Sequence, residues 1–278
     1  MKTSLLEHLQ EEKSMRLKGG LYHTTQIKLA YNSNRIEGSK LSEEQTRYIF
    51  ETNTLNVAPD ETANVDDIIE TANHFICFDY MLDTAEKNLS EEMIKEFHRI
   101  LKINTSDSRK EWFKIGDYKT RPNVVGDMET TAPTEVSNAI ANLLDSYHKT
   151  TIDFSALVDF HYRFEKIHPF QDGNGRVGRI ILFKECLKHN IVPFIIEDEY
   201  KMFYYRGLKE FEKTPGYLMD TCLSAQDKYR EVVEYFLGEK ISLKEKRQRL
   251  LEEINSRDVL EEAKNFDFVK AIREDRDR

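Results

Sequence analysis

His168-Pro169-Phe170-Gln171-Asp172-Gly173-Asn174-Gly175-Arg176-Val177-Gly178-Arg179 is the stretch on which the reading of this chain turns. An apolar helical pattern, Leu157, Phe160, Phe164 and Ile167, runs into it. Another leaves it through Val177, Ile180, Ile181, Phe183 and Leu187. Pro169 disfavours helical backbone in the residue before it, so the first helix should end near Ile167 or His168. Gly173-Asn174-Gly175 then makes a tight loop at the N-terminus of the second helix. That layout suits an anion: unpaired N–H groups converge, the helix dipole favours negative charge, and glycine lets a phosphate come close. Arg176 and Arg179 are three apart, so both project near the first turn and can add charge-assisted contacts. Asp172 offers a hard oxygen suited to Mg2+ shared with a polyphosphate. His168 offers a group that accepts a proton near neutral pH. Each feature alone has an ordinary structural explanation, as a helix cap, a turn or solvent-facing arginines. Gathered in 12 residues, they are the parts of a metal-dependent nucleotide site.

Around this segment helical periodicity dominates. Ser42-Glu43-Glu44-Gln45 reads as a capping box with Leu41 as a staple. Ser90 opens a helix whose apolar set is Met93, Ile94, Phe97, Ile100 and Leu101, and Val136, Ile140, Leu143, Leu144 and Tyr147 form a similar stripe. The expected fold is therefore mainly α. One exception lies between Trp112 and Pro133, where the extended runs Thr120–Val125 and Met128–Thr131 flank Gly126-Asp127 and read as a β-hairpin with Pro122 on an edge. A lone hairpin must lean on something, so it is either a flap over a cleft or a surface excursion.

Composition bounds the rest. The chain has 278 residues, 41 Lys+Arg against 50 Asp+Glu, a net charge of −9 and 39% apolar residues. It can bury a real core and is not disordered throughout. No run approaches the roughly 20 apolar residues a bilayer needs, and Glu7 and His8 interrupt any signal-peptide core. The acidic balance argues against a DNA-coating role. Cys77, Cys186 and Cys222 fit no metal or redox spacing and read as buried thiols of a reducing, cytoplasmic compartment. Residues 239–278 hold 11 Lys/Arg and 11 Asp/Glu, and Leu243, Leu250, Leu251 and Ile254 suggest one more helix there. That gives an N-terminal helical region over 1–85, a core over 86–238 and a charged extension over 239–278.

The central segment resembles the signature of Fic domains, HxFx(D/E)GNGRxxR, at every specified position. The resemblance implies a helical bundle with one β-hairpin flap, and an enzyme that transfers AMP from ATP to a Ser, Thr or Tyr hydroxyl of a protein. On the matching positions, His168 would be the general base and Asp172 the Mg2+ ligand. Gly173, Gly175 and the side chain of Asn174 would cradle phosphates, and Arg176 and Arg179 would contact them. Gly175, where phosphorylating members carry Lys, favours AMP transfer. Ser33-Asn34-Arg35-Ile36-Glu37-Gly38 resembles the family's inhibitory motif, (S/T)xxxE(G/N), with Ser33, Glu37 and Gly38 at its specified positions. The implied inhibitor is Glu37 paired with Arg179; a helix simply capped by Gly38 is the alternative. The implied flap, Thr120, Arg121, Pro122, Asn123, Val124 and Val125, would position the target's backbone. Tyr204 or Tyr205 would pack on adenine. The implied partners are ATP and a protein target, the chain itself being one candidate, with no nucleic acid and no membrane. Removal of AMP, transfer of another phosphate-containing group, a catalytically quiet nucleotide sensor, and a homodimer that buries the inhibitory helix stay open as alternatives.

Overall fold

In the computed structural model, which describes residues 4–57, 62–125 and 128–238, the helix that leaves the signature segment is the centre of the structure. This helix, α8 (Asn174–Lys188), is buried at every position from Asn174 to Leu187. Such a helix has no solvent face, so it needs neighbours all round. They are α7 (Phe154–Ile167), α5 (Glu91–Lys102), α4 (Val65–Asp83), α2 (Leu21–Ile36) and α1 (Leu5–Met15). The α7–α8 approach is close because position 178 is glycine: a Cβ there would lie 2.5 Å from Glu165 Oε1 and 2.9 Å from His161 Cε1. The remaining helices are α3 (Glu43–Thr52), α6 (Val136–Lys149), α9 (Lys201–Glu210) and α10 (Gly216–Leu237).

Local chemistry sets the helix ends. Ser42 accepts from Gln45 N at 3.1 Å while the Gln45 side chain accepts from Ser42 N at 2.9 Å, which completes the capping box, and Leu41 is buried beside it. Ser90 caps α5 by accepting from Met93 N at 3.3 Å, and Asp153 caps α7 through Ala156 N at 2.8 Å. The stripes of α5, α6 and α7 face inward as their spacing requires. The described residues up to Val233 form one compact unit, so the helices before residue 85 pack with those that follow. Residues 234–238, the last turn of α10 and Gly238 after it, are the described part of the second unit. The extension expected over 239–278 lies outside the described residues. All three cysteines are free and buried. No described helix is long and apolar enough to cross a membrane.

The hairpin expectation needs correcting. Extended pairing across Thr120–Val125 and Met128–Thr131 does not form. What remains is a minimal antiparallel ladder, β1 (Val124–Val125) against β2 (Met128–Glu129), with Val124 opposite Glu129 and Val125 opposite Met128. Pro122 has no N–H to give a ladder. Asn123 and Thr130, the residues that would extend the pairing, instead turn their side chains onto the chain around Lys119 and Phe170. The fold is thus helical almost throughout.

Candidate active site

His168 ends α7 in a left-handed conformation (φ 51°, ψ 63°), with its N–H donating to Phe164 O at 3.0 Å. A non-glycine residue held there is costly and marks a turn imposed by its surroundings. The next residues supply them. Phe170 is fully buried and stacks on His98 with ring centroids 4.0 Å apart and planes 7° from parallel. Asn174 closes the loop by two bonds, accepting from Phe170 N at 2.7 Å and donating to Phe170 O at 2.9 Å. Each end of that amide makes a bond and the residue is buried, so Asn174 shapes the loop. Gly173, at φ +83°, is the N-cap of α8 and brings no side-chain cap of its own, leaving the first amides of α8 without a side-chain partner at that position. The His168 ring is held neutral: burial, helped by the nearby Lys119 ammonium, pushes its pKa down to about 4. Its Nδ1 is buried without a partner among the described residues.

The charged residues of the segment are built into a closed ring. Asp172 Oδ2 accepts from Lys102 Nζ at 2.6 Å and from Arg176 Nη2 at 3.2 Å. Glu70 closes the circuit, with Oε1 2.6 Å from Lys102 Nζ and Oε2 2.5 Å from Arg176 Nη1. Asp107 Oδ2 adds a third carboxylate to Lys102 at 3.1 Å. Lys102 and Arg176 are almost entirely buried, while the Asp172 side chain is half exposed. Burial opposes ionisation of Asp172, but the adjacent Arg176 and Lys102 outweigh it and hold its carboxyl well below the usual carboxylate range. Asp172 thus stays ionised with one side toward solvent, which suits a single protein ligand to a hard cation whose other ligands are phosphates and water. Among the described residues no group of three or more His, Cys, Asp or Glu forms a metal site of its own.

Arg179 lies one turn further along α8 and meets the N-terminal motif. Its Nε donates to Ser33 Oγ at 3.0 Å, and its Nη2 donates to Ser33 O at 2.9 Å and to Glu37 Oε1 at 2.7 Å. Burial works against its charge, but the Glu37 carboxylate keeps its pKa raised. Glu37 Oε1 also presses on Gly175, where an added Cβ would collide with it. A carboxylate therefore sits against the first turn of α8, where an anion is most favoured. Gly38 does serve as a helix cap: at φ +100° it follows α2, with Gly38 N donating to Arg35 O and Ser39 N to Asn34 O, both at 3.0 Å. Capping and pairing are thus two effects of one turn. Of the 16 residues of α2, 12 are buried, and its end is tied down by Tyr205 Oη donating to Ile36 O at 2.8 Å and by Asp198 N donating to Asn32 Oδ1 at 2.9 Å.

Tyr204 is fully buried, with its hydroxyl 2.6 Å from His161 Nε2, so it lines no open surface for adenine. Tyr205 is partly exposed and holds α2 by its hydroxyl. Glu165 lies against Gly178 beside His161; burial pushes its pKa up to about 8 despite Arg179 nearby.

Sequence reasoning missed Glu70, Lys102, His98 and Lys119. For His98 and Lys102 a signal existed, since both fall on the buried side of α5 beside Phe97 and Leu101, where a polar residue needs a partner. Glu70 is an ordinary acid in an amphipathic helix, and nothing in its spacing distinguishes it.

A neutral histidine and an ionised aspartate thus flank the N-terminus of the central helix of this bundle. Residues 88–185 match the Fic/DOC family. The chain is 27% identical over 209 residues to protein adenylyltransferase fic-1 of Caenorhabditis briggsae, covering 72% of this chain and 39% of that protein. It is 26% identical over 191 residues to protein adenylyltransferase Fic of Nematostella vectensis, covering 65% and 42%. The chain thus spans about two fifths of the length of these curated relatives. Among solved structures, a Fic family protein from Desulfovibrio desulfuricans shares the fold with a TM-score of 0.64 at 22% identity, over 86% of this chain and 74% of that one. A Fic domain containing signaling protein from Bacteroides thetaiotaomicron gives 0.62 at 22%, over 84% and 91%.

Proposed function

We propose that the chain is an ATP-dependent protein adenylyltransferase that acts on a Ser, Thr or Tyr hydroxyl and is held inactive by Glu37. The observation that carries this reading is the position of the Glu37 carboxylate, bonded to Arg179 and pressed on Gly175 at the N-terminus of α8. Carboxylate and phosphate compete for the same donors, so one occupies the turn at the expense of the other. With Glu37 withdrawn, the first turn of α8 and Arg179 would bind the polyphosphate of ATP. His168, neutral at physiological pH, would take the proton of the target hydroxyl. The hydroxyl oxygen would then bond to the α-phosphorus as the bond to the β-phosphate oxygen breaks, releasing pyrophosphate and leaving AMP on the protein. Asp172 fits as the protein ligand to Mg2+, which when bound neutralises charge on the phosphates. The short β1–β2 segment would place an extended stretch of the target.

The test is α-32P-ATP labelling in a cell lysate together with intact-mass analysis of the protein after incubation with Mg-ATP. Wild type should label weakly, Glu37→Gly strongly, and Glu37→Gly with His168→Ala not at all. Undiminished labelling after His168→Ala would sink the mechanism.

A further inference from the structure

The chain before the ladder is bound to the chain after α7 by an unusual side chain. Lys119 N donates to Pro169 O at 2.9 Å, which fixes its backbone to the turn after His168. Its Nζ then donates to three segments: Asn123 Oδ1 at 2.7 Å, Thr130 Oγ1 at 2.6 Å and Ile167 O at 3.4 Å. Asn123 immediately precedes β1 and Thr130 immediately follows β2, so one ammonium holds both feet of the hairpin and the residue before His168. Asn123 Nδ2 reaches on to Phe170 O at 2.9 Å, the carbonyl that also accepts from Asn174. Thr130 Oγ1 lies 2.9 Å from Asn123 O and closes the base of the hairpin.

Lys119 is only 3% exposed, and among the described residues no carboxylate pairs with it. Burial pushes its pKa down to about 8. A buried cation without a counter-ion works against stability, and a neutral side chain of similar length would avoid that cost. What the ammonium uniquely supplies is three donors radiating from a single point, which matches three acceptors on three separate strands of chain.

We infer that Lys119 is a positioning residue that locks the base of the hairpin to the catalytic turn, so that whatever the hairpin holds is kept in a fixed frame relative to His168. The consequence for target placement rests on the adenylyltransferase reading above; the lock itself does not. The same charge acts on the histidine. Burial is the main cause of the low His168 pKa and Lys119 the next, while Glu37 and Asp172 act in the opposite direction. Removing Lys119 should therefore free the hairpin and raise the titration of His168 together.

Amide hydrogen exchange and NMR titration of the His168 ring test this on the full chain carrying Glu37→Gly. In Lys119→Met, exchange of peptides spanning residues 118–131 should quicken roughly tenfold or more as the lock's hydrogen bonds are lost. Peptides from the middle of α8 should be unaffected. The His168 midpoint should move up toward the ordinary histidine range. Lys119→Arg keeps the charge and should hold the midpoint down. Asn123→Ala removes the three side-chain bonds of Asn123, to Lys119, Thr130 and Phe170, but not the charge; it should quicken exchange and leave the midpoint in place, and it serves if Lys119→Met does not fold. Parental exchange over 118–131 in both Lys119→Met and Asn123→Ala overturns the lock. Absence of AMP transfer in the Glu37→Gly parent instead overturns the adenylyltransferase reading and leaves the lock standing.

Discussion

Replacing Glu37 by glycine should tighten Mg-ATP binding by roughly 10- to 100-fold, and the reasons can be worked from the contacts. In the wild type a triphosphate must displace a 2.7 Å charge-assisted bond from a guanidinium that is 5% exposed. Unit charges about 4 Å apart attract by on the order of 4 kcal/mol at an effective dielectric of about 20, but a phosphate recovers that attraction when it takes the carboxylate's place. The net difference is therefore the size of the bond given up, about 1.5–3 kcal/mol for a hydrogen bond to a charged group. At about 1.4 kcal/mol per tenfold, that is one to two orders of magnitude in the dissociation constant. The substitution should spare the fold, since Glu37 follows α2 at φ −83°, a conformation any residue adopts, and its carboxylate is partly solvated. Titration calorimetry with Mg-ATP at fixed low salt measures the effect, with thermal melts of both proteins as the control for folding. Glu37→Gln keeps the size and loses the charge, and should fall between the two. Equal affinity in wild type and Glu37→Gly would refute the competition on which the proposed inhibition depends.

Two further outcomes follow from the same geometry. Asn174→Ala removes two buried bonds and leaves Phe170 N and O without that partner, so urea denaturation should show a loss of about 1–3 kcal/mol. Burial holds the proton on Glu165 in the folded protein up to about pH 8, while the unfolded chain releases it near the ordinary glutamate value of 4.5. Its contribution to stability is therefore complete below about pH 4.5 and fades as pH rises toward 8. The melting temperature should decline more steeply over that window in wild type than in Glu165→Gln, and identical slopes would show that Glu165 ionises freely.

The helices and the turn from His168 to Gly173 were legible because local rules determine them. Ser42, Ser90 and the stripe ending at Ile167 act over one or two turns, and the tight loop at Gly173 follows from residues within the same segment. The hairpin was over-read because the alternation from Thr120 to Thr131 is a local signal, whereas the bonds that divert Asn123 and Thr130 come from Lys119 and from Phe170, 47 residues beyond Asn123. The bonds of Asn174 to Phe170 were not legible either, since a loop asparagine can turn its amide to its own backbone or away from it. Glu70 illustrates what a single sequence withholds, since its partners Lys102 and Arg176 lie 32 and 106 positions away on other helices.

The burial of α2 bears on how fast and how far the proposed inhibition can be relieved. A carboxylate carried on a core helix cannot be withdrawn by swinging a segment aside, because 12 of the 16 residues of that helix would have to leave the interior. Local unfolding on that scale approaches the free energy of the whole unit and would be rare and slow. Rotation of the Glu37 side chain alone, once its bond to Arg179 opens, runs on the far shorter timescales of rotamer exchange. The proposed switch would therefore have the amplitude of a single side chain, and point substitution, not truncation before α4, would be the route to a permanently open form: a chain cut there would lose Leu9, Leu21 and Leu29 from the core along with Glu37.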